Sequence, residues 1–139
     1  MKFCFSTLGC TEYSLDEALA LANKFDIPAL ELRGLCGEVD IRKMAELKPE
    51  NRAATKEKFR EYGIEPLILG TSCKFHDEDK FENFLKEGVY AIDTAHDIGF
   101  RGIRVFGNNV KGDEDECLHR IARGISTLCE YALDKGIDV

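Results

Sequence analysis

Two rhythms of apolar residues run along this chain and predict its elements. In four stretches the apolar positions fall three and four apart, the spacing of one buried helical face. The first opens on Ser14-Leu15-Asp16-Glu17, a capping box, and continues with Leu15, Ala18, Leu19, Ala22 and Phe25 on one stripe. A second helix is expected from Pro49 to Gly63, with a thin apolar face of Ala53, Phe59 and Tyr62 that suits a surface position. The third runs from about Asp79 to Ile98 and turns Phe81, Phe84, Leu85, Ala91, Ile92 and Ala95 inward. The fourth begins near Asp113, where Glu114, Asp115 and Glu116 suit the positive end of a helix dipole. It carries Leu118, Ile121, Ala122, Ile125, Leu128, Cys129 and Ala132 before Gly136.

Between the helices lie short runs that are apolar on both sides: Phe3–Phe5, Ala29–Leu32, Pro66–Leu69 and Ile103–Phe106. Parallel strands covered on both faces have this character. Strand followed by helix, four times over, predicts an α/β fold of parallel (β/α) units. A weak repeat supports it. Asp26-Ile27, Gly63-Ile64, Gly99-Phe100 and Gly136-Ile137 each separate a helix from a strand, and their first residues lie 37, 36 and 37 positions apart. Each pair reads as a residue that accepts the left-handed conformation, then an apolar residue tucked beneath the helix end. Ile137-Asp138-Val139 then opens a fifth strand. The segment from Leu35 to Lys48 is the longest connection, with room for a helical turn between Arg42 and Leu47.

Composition narrows the class. With 139 residues, 44% of them hydrophobic and 32% charged, the chain has the make-up of one globular domain. Its net charge of −7 argues against a nucleic-acid partner, and no apolar run approaches the ~18 residues that span a membrane. The opening Met1-Lys2-Phe3 leads straight into patterned sequence and does not read as a signal peptide, so a cytoplasmic location is expected. The six cysteines match no disulfide scaffold and read as free thiols. Cys4 and Cys129 read as small hydrophobes. Cys10, Cys36 and Cys73 each follow a predicted strand, but without zinc-type spacing they read as small residues in crowded loops.

Repeated βα units admit two architectures: an open doubly wound sheet, or a (β/α)₈ barrel of about 250 residues. No strand is followed by a phosphate-binding glycine fingerprint, and Phe106-Gly107-Asn108-Asn109 is too short to serve as one. Glu31 and Arg104 interrupt apolar strands. Burying either charge alone is costly, and the carboxyl ends of barrel strands are where such groups do chemistry. A structural ion pair or solvated strand ends would account for them equally.

Four strings in order, Phe5-Ser6-Thr7-Leu8-Gly9-Cys10, Glu31-Leu32-Arg33-Gly34, Leu69-Gly70-Thr71-Ser72-Cys73-Lys74-Phe75-His76-Asp77 and Arg104-Val105-Phe106-Gly107, resemble the sugar phosphate isomerase/epimerase family of xylose isomerase-like TIM barrels. The resemblance runs from Met1 to Val139 and implies a single domain, the amino-terminal half of such a barrel. It further implies metal-assisted proton transfer on a sugar or hydroxy-ketone, with a divalent Mn, Mg, Co or Zn ion in the complete barrel and a sugar or sugar phosphate as partner. By position it assigns Glu31, Arg33 and Arg104 to substrate binding and His76 to catalysis. Against these stand plainer readings: Arg33 as a surface charge, His76 as a solvated loop histidine, Asp77 as a helix cap, and His96 and His119 on outer helix faces.

The family's metal-binding carboxylates and catalytic glutamates come from strands five to eight, so no metal ligand is assigned here. The chain is accordingly expected to be inactive alone. Uncovered strand faces and sheet edges favour self-association, so a homo-oligomer is expected. The remaining alternatives are a non-catalytic half-barrel that binds or oligomerises, and an open doubly wound ligand-binding domain.

Overall fold

The computed structural model describes residues 3–107, 109–110 and 112–139. Met1, Lys2, Asn108 and Lys111 lie outside them, and with them part of the Phe106–Asn109 string. Strand and helix alternate as the patterning predicts: β1 (Cys4–Ser6), α1 (Leu15–Lys24), β2 (Ala29–Leu32), α2 (Arg52–Tyr62), β3 (Glu65–Lys74), α3 (Phe81–Ile98), β4 (Gly102–Phe106) and α4 (Glu114–Leu133). Short 3-10 turns precede α2 and α3, at Pro49–Asn51 and Glu78–Lys80. A further one, Ala45–Leu47, lies in the long β2–α2 connection where a helical turn was expected.

The four strands form one parallel sheet in the order β1-β2-β3-β4. Right-handed crossovers in a sequential order place every helix on the same face, and neighbouring helices do pack side by side, α1 on α2, α2 on α3 and α3 on α4. This excludes the doubly wound alternative, which needs helices on both faces. A fifth strand begins: the Ile103 amide donates to the Asp138 carbonyl at 2.8 Å and the Asp138 amide to Arg101 at 3.1 Å, a parallel bridge between Gly102 and Asp138.

The repeat is real at the level of single hydrogen bonds. Asp26, Gly63, Gly99 and Gly136 have φ of 54°, 67°, 100° and 65°. The amide of the next residue returns each time to a carbonyl in the last helical turn: Ile27 to Ala22, Ile64 to Phe59, Phe100 to Ala95 and Ile137 to Ala132, at 2.9–3.3 Å. The tucked side chains join the core, where Phe100 meets Phe59 edge to face at 5.5 Å. The Ser14–Glu17 capping box forms as predicted.

Several expectations need correction. The second helix is not merely a surface element, since Arg52, Thr55 and Phe59 are buried. Phe25 closes α1 on the solvent side, 62% exposed, because the chain has already left the helix there. On α4, Cys117, Gly124, Leu128 and Ala132 face inward, while Leu118, Ala122 and Cys129 are exposed; the apolar stripe is wider than the face α3 covers. Cys4, on the edge strand, is also exposed. Finally, β3 extends to Lys74, so Cys73 sits inside a strand and not in a loop.

Candidate functional site

On the sheet face that carries no helices, the carboxyl ends of three strands gather the polar residues singled out above. Register explains the meeting. Glu31 pairs with Ile68 and Gly70 with Arg104, so Glu31 and Arg104 lie on one face with β3 between them. Gly70 leaves β3 bare there, and Arg104 reaches across to place its Nε 2.6 Å from Glu31 Oε1. The guanidinium also stacks on Phe106, 4.6 Å from the ring centroid. Both groups of the pair keep some exposure, 35% for the Arg104 side chain and 17% for that of Glu31, so the pair is open to a ligand.

Arg33 continues the cluster and is no surface charge: it is 9% exposed. Its stem crosses Gly70, where an added Cβ would come within 2.5 Å of Arg33 Cδ. Its head donates to the Val39 carbonyl at 2.9 Å and to Ser72 Oγ at 3.2 Å. Burial and the nearby charge of Arg104 hold its pKa below the ordinary arginine value. Backbone order at this end comes from threonines. Thr7 Oγ1, fully buried, accepts from the Arg33 and Gly34 amides at 2.9 and 3.0 Å, tying β1 to β2. Thr71 Oγ1 donates to the Arg104 carbonyl at 2.9 Å, tying β3 to β4.

His76 is brought elsewhere. It is 8% exposed, so it is not a solvated loop residue, and its carbonyl accepts from Arg120 Nη1 at 2.9 Å. It borders a cavity of about 290 Å³ shared with Asp77, Glu78, Asp79, Gly112 and Arg120, between the end of β3 and α4. Asp77 precedes the Glu78–Lys80 turn as a cap would, but its carboxylate faces Lys80 Nζ at 3.7 Å. His96 and His119 are exposed, as expected of outer helix faces.

Sequence reasoning missed Glu87 on α3. It is 1% exposed and accepts from the Ser72 amide at 2.6 Å, directly behind the cluster. The signal was present: Phe84, Glu87, Gly88, Ala91 and Ile92 share the inward face of α3, and a carboxylate in that series marks a buried polar contact. Among the described residues no three His, Cys, Asp or Glu side chains converge to hold a metal ion. The donor set therefore does not fit a divalent ion, since Glu31 is a lone carboxylate held by arginine. Burial pushes the Cys73 thiol up to about 12, which makes it a poor ligand and a poor nucleophile.

No family model matches the sequence, and no curated protein matches it either. Solved structures do. The chain is similar to the IolI protein crystallised with a bound zinc atom, with a TM-score of 0.78 at 22% identity over 99% of this chain and 50% of that one. A D-psicose 3-epimerase crystallised in the presence of D-fructose gives 0.76 at 14% identity, covering 99% of this chain and 50% of that one. The probable 3-DHS dehydratase AsbF from Bacillus anthracis gives 0.76 at 15%, with the same coverage. The fold is therefore that of about half of a (β/α)₈ barrel, and the chain spans about half the length of the structures it matches.

Proposed function

We propose that this chain forms the substrate-binding, amino-terminal part of a xylose isomerase-like barrel that moves a proton between adjacent carbons of a sugar or hydroxy-ketone. The observation that carries the reading is the Glu31–Arg104 pair, half open at the strand ends with Arg33 beside it. The reading accords with the resemblance to sugar phosphate isomerases and epimerases and with the barrel fold. In such a reaction a base takes the proton of the C–H beside the carbonyl, the electron pair becomes a C=C bond, and the carbonyl oxygen takes a proton to give an enediol. The neighbouring carbon then takes a proton while the other hydroxyl gives one up and becomes the new carbonyl, with no net oxidation.

The chain's own residues bind and orient. Glu31 has acceptor sites for substrate hydroxyls, and Arg104, whose Nε is taken by Glu31, has terminal nitrogens without a hydrogen-bond partner among the described residues to offer a substrate oxygen. Phe106 keeps that guanidinium flat against the sheet. The resemblance gives His76 a part in proton exchange with a substrate oxygen, although it lines a separate cavity with Asp77 and Arg120. No step is assigned to a metal, for which the described residues provide no donor set.

The test is titration of the ¹⁵N-labelled chain with D-fructose and with a ketose phosphate. Shifts at Glu31, Ser72 and Arg104, lost in Arg104→Ala, are expected. Binding by neither compound, or binding unchanged in that variant, overturns the reading. A parallel incubation in deuterated water with Mn²⁺, Mg²⁺ or Co²⁺ should show no exchange of the proton beside the carbonyl. Exchange there would mean that the chain is itself the catalyst.

Self-association is a second reading, favoured by the uncovered sheet face and by the exposed Leu118, Ala122, Cys129 and Leu133 along α4. A second copy of the chain is the occupant proposed. Sedimentation equilibrium should find dimers or larger species; a monomer at every concentration tested rejects it.

A further inference from the structure

Glu87 projects from the middle of α3 toward the back of the polar strand ends, and no part of the proposed reaction uses it. Its two oxygens do different work. Oε1 accepts the Ser72 amide at 2.6 Å, and Oε2 lies 3.6 Å from Arg42 Nη2. Arg42 belongs to the long β2–α2 connection, where it also grips Asp40 with two nitrogens, at 2.9 and 3.0 Å, and Asn83 Oδ1 at 3.0 Å. Ser72 in turn accepts Arg33 Nη2, and Arg33 reaches forward to Val39 in the same connection. A buried carboxylate on a helix thus holds both supports of the Arg33 head: the strand residue it bonds and the loop whose carbonyl it bonds.

We propose that Glu87 is a positioning residue for the strand-end cluster: through the Ser72 amide and Arg42 it fixes the Arg33 guanidinium beside the Glu31–Arg104 pair. The functional part of this inference rests on the reading of that pair as a substrate site; the structural part does not. The link works through bonds that need a carboxylate. A protonated Glu87 keeps one acceptor for the Ser72 amide but loses the charge that draws Arg42, whose hydrogen bonds among the described residues are then those to Asp40 and Asn83. The groups that face Glu87 are Arg42 and Asp40 from that connection, Arg33 from the end of β2 and the Cys73 thiol from β3. Desolvation outweighs the arginines and raises the Glu87 pKa above its ordinary value of 4.5. A group with a raised native pKa favours its protonated form in the fold, so protonation of Glu87 does not by itself drive unfolding.

The experiment is a pH titration of the ligand-free chain by ¹⁵N NMR from about pH 8 to about pH 4, reading the Ser72 amide and the Arg33 and Arg42 side-chain Nε–H signals. All three should move together with one midpoint above the ordinary glutamate value, and in Glu87→Gln the movement should vanish while the other amides keep their positions. If Arg33 does not follow Ser72 in the wild-type chain, the proposal fails, and that result needs no variant to fold. Persistence of the titration in Glu87→Gln overturns it as well. With D-fructose added, affinity should fall roughly three- to tenfold below the same midpoint. Absence of fructose binding at every pH counts against the substrate site only, and the Arg33 titration then decides the positioning role by itself.

Discussion

The two ends of the strands are built on opposite principles. At the amino ends four turns repeat one device at 36–37-residue spacing, and only Asp26 departs from glycine. At the carboxyl ends the connections after β1, β2 and β3 differ from one another. β1 runs into a 3-10 turn, β2 into a connection that holds Arg33, Arg42 and Asp40, and β3 into His76 and Asp77. The difference teaches where each constraint acts. Closing a helix onto the next strand is the same steric problem each time and has one cheap solution. Under the proposed reading, recognising a ligand asks for different groups around one point, as in barrels whose chemistry sits on the carboxyl face.

The largest expected effect comes from breaking the repeated end where two units touch. Phe59 is 2% exposed and packs edge to face on Phe100, the tucked residue of the following unit. Phe59→Ala removes that contact and leaves a cavity, with a loss of about 3–5 kcal/mol. Urea unfolding should show it as a lower midpoint with an unchanged slope. A loss below 1 kcal/mol would mean that the units are not mechanically joined there.

The next two substitutions set a glycine at one end against a glycine at the other. Gly70 has no room for a Cβ, because Arg33 lies over it and is tied at Val39 and Ser72. Gly70→Ala should cost about 1–3 kcal/mol by overpacking and displace the Arg33 Nε–H signal. Gly99 has open space around it but a φ of 100°. Gly99→Ala should cost about 1–2 kcal/mol through backbone strain and leave Arg33 untouched. Equal effects of both on Arg33 would erase the distinction between the two ends.

A smaller effect is expected from acid at the carboxyl end. The hydrogen bonds from Arg42 hold the Asp40 pKa below its ordinary value. A depressed native pKa means stability present at neutral pH and lost as pH falls through the native value. Asp40→Asn should flatten the stability profile below about pH 4, with a loss at neutral pH under about 1 kcal/mol because solvent screens a partly open pair. Glu87→Gln should do the reverse, since its raised pKa favours the acid form. Profiles of the same sign for both variants would contradict these assignments.

Much of this was legible in the sequence, unevenly and for physical reasons. The turns, the capping box and the strand positions rest on local rules and could be read directly. The Glu31–Arg104 meeting could be read only as one of two possibilities, an ion pair or solvated strand ends, because β3 lies between their strands and its register decides. The length of β3 could not, since Gly70-Thr71-Ser72 has loop composition and is strand only because β2 and β4 flank it. Nor could the covered side of α4, which depends on what packs against it. Arg33 was placed by resemblance, but its burial follows from an absent side chain at Gly70, a relation no local pattern carries.

The smallest effect tests the repeat at its one exception. Asp26 sits at φ 54°, and its amide donates to the Asn23 carbonyl at 3.1 Å as the turn requires. Its side chain is exposed, so no packing opposes a change. Asp26→Gly relieves the Cβ penalty of the left-handed region and offsets part of that gain by freeing the unfolded chain. The net expectation is a rise of about 0.5 kcal/mol, roughly one to two degrees in Tm. Calorimetry resolves a shift of that size. A fall instead would show that the aspartate contributes something the turn geometry does not need, and the four amino-end turns would then no longer be one device repeated.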